Sequence, residues 1–308
     1  MAPVHHRYVD VAGRQLFYRE AGPPDAPVVV LLHGFPTSSF MFRNLIPVLA
    51  ADYRVIAPDH LGFGLSDAPP AGDFGYTFDA LADLTAGLLA ALHVERYALY
   101  VQDYGAPIGW RLALRAPEAV TAIVTQSGNG YDEGFVESFW RTVWDYQREQ
   151  TPETETAIRQ ALTLEVTRWQ YVTGVPDETL VSPDTWHHDY NLLTRPGNDQ
   201  IQLALFRDYE TNPAMYPHLH EYLRSSGVPV LAVWGRGDEI FGPAGAEAFT
   251  QDAVDAEIHL LDGGHFLLES AGPEVAALMK DFLGRRLAPV GIDQNKFEME
   301  MTGMGEHS

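Results

Sequence analysis

Five apolar residues without a polar break, Val28-Val29-Val30-Leu31-Leu32, form a stable strand only where other elements cover both faces. Arg54 to Pro58, Tyr97 to Gln102, Ala119 to Thr125, Pro229 to Trp234 and Glu257 to Leu261 read as further strands. Helical stretches separate them: Phe78 to Leu92, with Leu81, Leu84, Leu88 and Leu92 on one period, then Ala106 to Arg115, ending near Pro117. A further helix follows Pro243, and a closing one runs from Glu274 to about Arg286. Alternating strand and helix predicts an α/β fold with a mostly parallel, doubly wound sheet. His6 to Gly13 and Gln15 to Glu20 alternate apolar and polar residues around a short turn, which predicts an antiparallel hairpin at one sheet edge.

The alternation stops between Gly130 and Ser226, where helical patterns rich in Trp and Tyr are broken by Pro and Gly. This stretch holds four of the six tryptophans, Trp140, Trp144, Trp169 and Trp186, a concentration that suits a helical cap folded over a pocket. The chain of 308 residues is long enough for such an insertion. The expected division is core over 1–129, cap over 130–226, core again over 227–288, and a C-terminal tail over 289–308.

Composition removes several functional classes. With no cysteine, the chain has no disulfide, cysteine nucleophile or thiolate metal site. A formal net charge of −22 disfavours nucleic acid and anionic membrane surfaces as partners, because phosphate contacts need clustered Lys and Arg. No apolar run approaches the ~20 residues that span a bilayer. The opening MAPVHHRYVD lacks the pattern of a secretory signal, so a cytoplasmic location is the default expectation.

In open α/β sheets reactive groups collect at the carboxyl ends of strands. Four such ends stand out. Val101-Gln102-Asp103-Tyr104-Gly105-Ala106 reads as a sharp strand-to-helix corner presenting Asp103, with small residues after it where the backbone crosses tightly. Asp also makes a good helix N-cap, the ordinary alternative. His33-Gly34-Phe35-Pro36 lets the Phe35 and Tyr104 amides converge on one oxygen, and His33 itself reads as a structural residue bonded to backbone. Asp238 follows the strand ending at Trp234, and His265 follows the last strand, so nucleophile, acid and histidine occur in the order this topology requires. Gly64-Leu65-Ser66-Asp67-Ala68 nearly spells a serine elbow, but it precedes a Pro-rich stretch and reads as a turn.

The segments HGFPTSSFMFRNL, APDHLGFGLSDAP, VQDYGAPIGW, VWGRGDEIFGP and LLDGGHFLLES resemble the epoxide hydrolase and haloalkane dehalogenase branch of the α/β-hydrolase superfamily. The resemblance implies Asp103 as nucleophile, His265 as the base that activates water, Asp238 as its partner, and the Phe35 and Tyr104 amides as an oxyanion hole. A carboxylate, already ionised at neutral pH, displaces a leaving group at saturated carbon, and water then attacks the enzyme's own acyl carbon.

The leaving atom separates the two activities. Haloalkane dehalogenases carry a tryptophan directly after the nucleophile, where this chain has Tyr104. Trp144-Asp145-Tyr146-Gln147 resembles the segment that supplies epoxide hydrolases with a ring-opening tyrosine, which implies Tyr146 as one donor. Phe206-Arg207-Asp208-Tyr209-Glu210-Thr211-Asn212 resembles the other cap motif of epoxide hydrolases, with Phe206 where the second tyrosine aligns; Tyr209, one turn on, is the first substitute for it and Tyr216 the more distant one. Trp140, Trp144, Phe206 and Phe266 are expected to line the substrate site. Val-Gln-Asp and Gly-His-Phe are closer to some dehalogenases, so a haloalkane stays as the second substrate class, and a non-catalytic ligand receptor as a third reading. His187-His188 and His218-Leu219-His220 match no recognised metal spacing, and the expectation is a small neutral substrate with no metal and no cofactor.

Overall fold

Alternate residues of each central strand enter opposite apolar layers, and this arranges the rest of the molecule. Val29 and Leu31 belong to one buried cluster and Val30 and Leu32 to the other; Ala98 and Tyr100 part from Leu99 and Val101 in the same way. The computed structural model describes residues 3–287. The strands are β1 His5–Val11, β2 Arg14–Ala21, β3 Val28–Leu32, β4 Arg54–Pro58, β5 Tyr97–Gln102, β6 Val120–Gln126, β7 Val230–Gly235 and β8 Glu257–Leu261. They form one sheet in the order β1-β2-β4-β3-β5-β6-β7-β8. The β1–β2 and β2–β4 pairs are antiparallel and the remaining pairs parallel, so the expected hairpin does form the edge.

Helices α1 Ile46–Leu49, α2 Phe78–Ala91 and α3 Gly105–Arg115 connect the first strands. The predicted leucine stripe of α2, with Leu81, Leu84 and Leu88 buried, enters one layer. Thr77 caps that helix, its hydroxyl accepting from the Ala80 amide at 3.1 Å. Between β6 and β7 the chain makes a helical excursion: α4 Glu137–Arg148, α5 Pro152–Ile158, α6 Leu164–Val172, α7 Pro183–Leu193, α8 Asn198–Asp208 and α9 Thr211–Ser226. It adds no strand to the sheet. α10 Ala244–Ala248, α11 Leu267–Ser270 and α12 Gly272–Arg286 complete the core, with Val275, Met279, Phe282 and Leu283 of α12 filling the second layer.

The excursion divides between the layers. Trp140 and Val143 of α4, Phe206 of α8 and Leu219 of α9 extend the first; Tyr171 of α6 and Trp186 of α7 extend the second. The sixth and seventh strands begin and end one residue later than the apolar runs indicate, a displacement within the ordinary fraying of element ends. The tail expected over 289–308 lies outside the described residues. Among those residues no helix is long and apolar enough to cross a membrane.

Candidate active site

β5 ends at Gln102, and the next residue, Asp103, turns with φ +48°, a conformation that strains a residue with a Cβ. The corner is held by the Asp103 amide donating to the Ser127 carbonyl at 3.3 Å and the Ala106 amide donating to the Asp103 carbonyl at 2.9 Å. Gly105 is obligatory, since a Cβ there would lie 2.6 Å from the Leu32 carbonyl carbon. The Phe35 amide donates to Asp103 Oδ1 at 2.6 Å, and the neighbouring Tyr104 amide acts on the same carboxylate by lowering its pKa. Of the two backbone donors singled out in the sequence, Phe35 holds the carboxylate itself.

Asp238 follows β7 and His265 follows β8. Asp238 Oδ1 accepts the amides of Ile240 at 2.9 Å and Phe241 at 3.1 Å, which leaves Oδ2 for His265 Nδ1 at 3.0 Å. Across the ring, His265 Nε2 lies 3.8 Å from Asp103 Oδ2. All three side chains are buried. Burial raises the Asp103 pKa above the ordinary carboxylate range, against the pull of His265 and of the Phe35 and Tyr104 amides. Burial alone would lower His265, but the charge and hydrogen bond of Asp238, with the charge of Asp103, leave it above the usual imidazole value. The arrangement is an acid-oriented imidazole facing a second carboxylate that a backbone amide grips.

His33 is structural, as expected. Its Nε2 accepts the His60 amide at 3.1 Å, so Nδ1 is the nitrogen that donates to the Gly34 carbonyl at 3.0 Å. Burial pushes its pKa down to about 4, partly opposed by that carbonyl. Ser66 is committed to backbone, giving its proton to the Asp59 carbonyl at 2.7 Å and accepting the Phe17 amide at 2.9 Å. His188 stacks on Phe40 and His220 on Tyr131, each with ring centroids 4.2 Å apart. Among the described residues no group of three or more His, Asp or Glu is placed to hold a metal ion.

Aromatic rings surround the Asp103 corner. Tyr104 packs edge-on to Phe78 at 5.0 Å and lies 5.9 Å from Tyr209; Phe206 packs edge-on to Phe35 at 5.3 Å and lies 6.4 Å from Tyr104. The Tyr104 hydroxyl is buried without a hydrogen-bond partner. Burial, and after it the charge of Asp103, drive its pKa well above 10. Burial, the paired Tyr216 phenol and the Asp103 charge do the same for Tyr209. Tyr146 is buried on α4, and its phenol is raised by burial and Glu155 and lowered by Arg207 and Arg159.

The four residues expected to line the substrate site separate as well. Phe206 packs at the corner, and Trp140 lies 4.5 Å from Tyr209 and 5.1 Å from Phe241 with its indole N–H given to the Ile240 carbonyl at 2.8 Å. Trp144 lines an open cleft further out with Asp132, Phe135, Glu137, Gln147, Glu210 and Pro213. Phe266 adjoins His265 but lies flat on Tyr171 at 3.9 Å, inside the second layer. Two further core indoles are also engaged, Trp110 with the Asn129 carbonyl at 2.9 Å and Trp234 with the Phe241 carbonyl at 2.7 Å.

The polar residues of the 206–212 segment have a purpose that the sequence does not display. Asp208 accepts the Phe78 amide at 2.7 Å, placing an anion on the N-terminus of α2. Arg111 of α3 donates to Asn212 at 2.8 Å, Thr211 at 2.9 Å and Asp79 at 2.9 Å. These contacts clamp the α8–α9 junction over α3, the helix that follows Asp103. Two buried amides at strand ends also escape a search for reactive groups. Gln102 and Gln126 pair across β5 and β6, Gln102 Nε2 lying 2.9 Å from His265 Nε2 and Gln126 Nε2 donating to the His265 carbonyl at 2.9 Å. Their signal was a polar residue closing an apolar strand.

Residues 27–271 match the family described as alpha/beta hydrolase fold. The chain is 42% identical over 261 residues to an uncharacterized hydrolase of Saccharomyces cerevisiae, covering 84% of this chain and 89% of that one. It is 29% identical over 300 residues to a haloalkane dehalogenase of Mycolicibacterium paratuberculosis, covering 89% and 91% respectively. A solved epoxide hydrolase superposes with a TM-score of 0.73 at 20% identity over 92% of this chain and 99% of its own, a likeness of fold.

Proposed function

The chain belongs to the α/β-hydrolase fold family, and we propose that this enzyme opens epoxides through a covalent ester on Asp103. Asp103 attacks an epoxide carbon, the ring C–O bond breaks, and a phenol, Tyr104 or Tyr209, gives its proton to the departing oxygen. The nucleophile loses its charge as the phenol gains one, which removes part of the field opposing phenol ionisation. His265, oriented by Asp238, then takes a proton from water, and the hydroxide adds to the Asp103 acyl carbon. The Phe35 and Tyr104 amides take the oxyanion that forms there. Collapse frees the diol and the carboxylate, and the proton on His265 returns through solvent to the phenolate. Residues 130–226 serve as the cap, contributing Phe206 and Tyr209 to the pocket.

One observation carries the choice of leaving group. The hydroxyls of Tyr104 and Tyr209 lie in the field of Asp103, while the indole N–H groups of Trp110, Trp140 and Trp234 are given to backbone carbonyls. An epoxide oxygen needs an acidic hydroxyl, and a halide needs N–H donors in an apolar pocket. Likeness to a haloalkane dehalogenase along most of the chain supports the second reading, hydrolysis of a carbon–halogen bond.

Styrene-type epoxides and brominated alkanes, assayed for diol and for bromide, separate the two. Diol without bromide is the expected result. A single turnover in heavy-oxygen water should also place label in the peptide bearing Asp103, and product formed with no label there would defeat the ester mechanism. Binding without turnover of either substrate would point to a receptor.

A further inference from the structure

Gln102 is wholly buried, and its amide oxygen has no hydrogen-bond partner. A buried acceptor left in that state loses its hydrogen bonds to water and gains none in return, so its retention asks for a reason. Gln126, one strand away, shows what a fixed amide looks like. Its oxygen accepts from the Tyr100 hydroxyl at 3.1 Å, and its nitrogen donates to Ser127 Oγ at 2.8 Å and to the His265 carbonyl at 2.9 Å. Gln102 has one polar contact, its Nε2 against His265 Nε2 at 2.9 Å.

That contact suits one protonation state of the histidine. With Nδ1 donating to Asp238, the neutral ring presents a lone pair at Nε2 and accepts the amide N–H. Once Nε2 carries a proton it needs an acceptor, and a half turn of the carboxamide supplies the oxygen at nearly unchanged shape. The charged groups facing the ring are Asp238 after β7 and Asp103 after β5; β6 offers the neutral Gln126, and Phe241 and Phe266 pack at 6.1 Å and 5.2 Å. The two carboxylates favour the cation against the cost of burial.

We propose that Gln102 is a positioning residue whose carboxamide turns end for end as His265 gains and loses a proton, donating to the imidazole and accepting from the imidazolium. Its role in turnover rests on the ester mechanism above. Esterification discharges Asp103 and favours the neutral ring. When His265 Nε2 takes the proton of the attacking water, the amide oxygen accepts that N–H until the proton returns through solvent to the phenolate.

The test uses the wild-type chain labelled with nitrogen-15, without substrate. A through-hydrogen-bond coupling between Gln102 Nε2 and His265 Nε2 is expected above the His265 titration midpoint and lost below it. A coupling that persists through the titration, or is absent at both ends, overturns the proposal. Gln102→Met keeps the length and removes both hydrogen-bonding functions. Because the bond to the cation is about twice as strong as the neutral one, this variant should lower the His265 midpoint by roughly half a unit to one unit. An unchanged midpoint counts against the proposal. In rapid-quench kinetics the variant should break down the ester about tenfold more slowly and form it at the wild-type rate, as loss of ~1.4 kcal/mol from one step requires. If no ester forms in either protein, the reaction assignment fails, and the nuclear magnetic resonance result still decides the role of Gln102.

Discussion

The two sides of the site are held in place by different means. Asp103, Asp238 and His265 project from the ends of β5, β7 and β8, where backbone ladders to neighbouring strands set each position. Phe206 and Tyr209, opposite them, depend on ring packing and on the Asp208 and Arg111 contacts that fasten the α8–α9 junction. A position set by a ladder tolerates change in the side chains around it. One set by packing moves with its neighbours, so substitutions on the two sides should separate chemistry from placement.

The largest effect should come from the ladder side. Asp103→Asn keeps the shape and removes the nucleophile, and turnover should fall by roughly 10⁴-fold or more with thermal stability kept. Steady-state rates and a melting curve check both halves, and a variant that stays within tenfold of wild type would remove Asp103 from the chemistry. On the packed side, Arg111→Met removes charged donors to Asn212, Thr211 and Asp79 together and should cost about 3 kcal/mol of stability. Denaturant unfolding measures it, and kcat/KM should fall even though no reacting group has been touched.

Smaller and more diagnostic is the pair Tyr104→Phe and Tyr209→Phe. Each should lower the rate of ester formation by about 10–100-fold, and neither should alter ester breakdown, because the phenols act on the leaving oxygen alone. Equal loss in both steps would show that the rings only pack. The smallest effect is one of pH. Asp189 of α7 is bonded to the Tyr171 hydroxyl, and burial pushes its carboxyl up to about 7. A folded-state pKa above the unfolded value means that its contribution to stability is complete below pH ~4 and is lost as pH rises through about 7. Asp189→Asn should therefore raise the melting temperature at pH 8 relative to pH 5 by about 2–4 °C, and equal shifts at both values would refute the assignment.

The same contrast explains how far the sequence could be read. Buried parallel strands have continuous apolar runs, and their ends follow from where the runs stop, so Asp103, Asp238, His265 and the Phe35 amide emerge from local pattern. Helical periodicity says which residues share a face and leaves open which neighbour that face meets. Trp140, Val143 and Tyr146 are the buried residues of α4, and the charges of Glu155, Arg207 and Arg159 act on the Tyr146 phenol. Trp140 faces inward, and the rings it meets are those of Tyr209 and Phe241. Arg111 and Asp208 carry no motif of their own, because an anchor of this kind is defined by partners about 100 and 130 residues away in the chain.

The grip of the Phe35 amide on Asp103, with the Tyr104 amide beside it, sets a division of labour. In the proposed reaction the oxygen they stabilise is always the enzyme's own, whichever alkyl group arrives. The second half of the cycle is thus blind to the incoming molecule, and preference among substrates must be settled beforehand, by the rings of Phe35, Phe206, Tyr104 and Tyr209. Reshaping that ring set is the route by which such a scaffold would acquire new molecules to cleave while its water chemistry stays as it is.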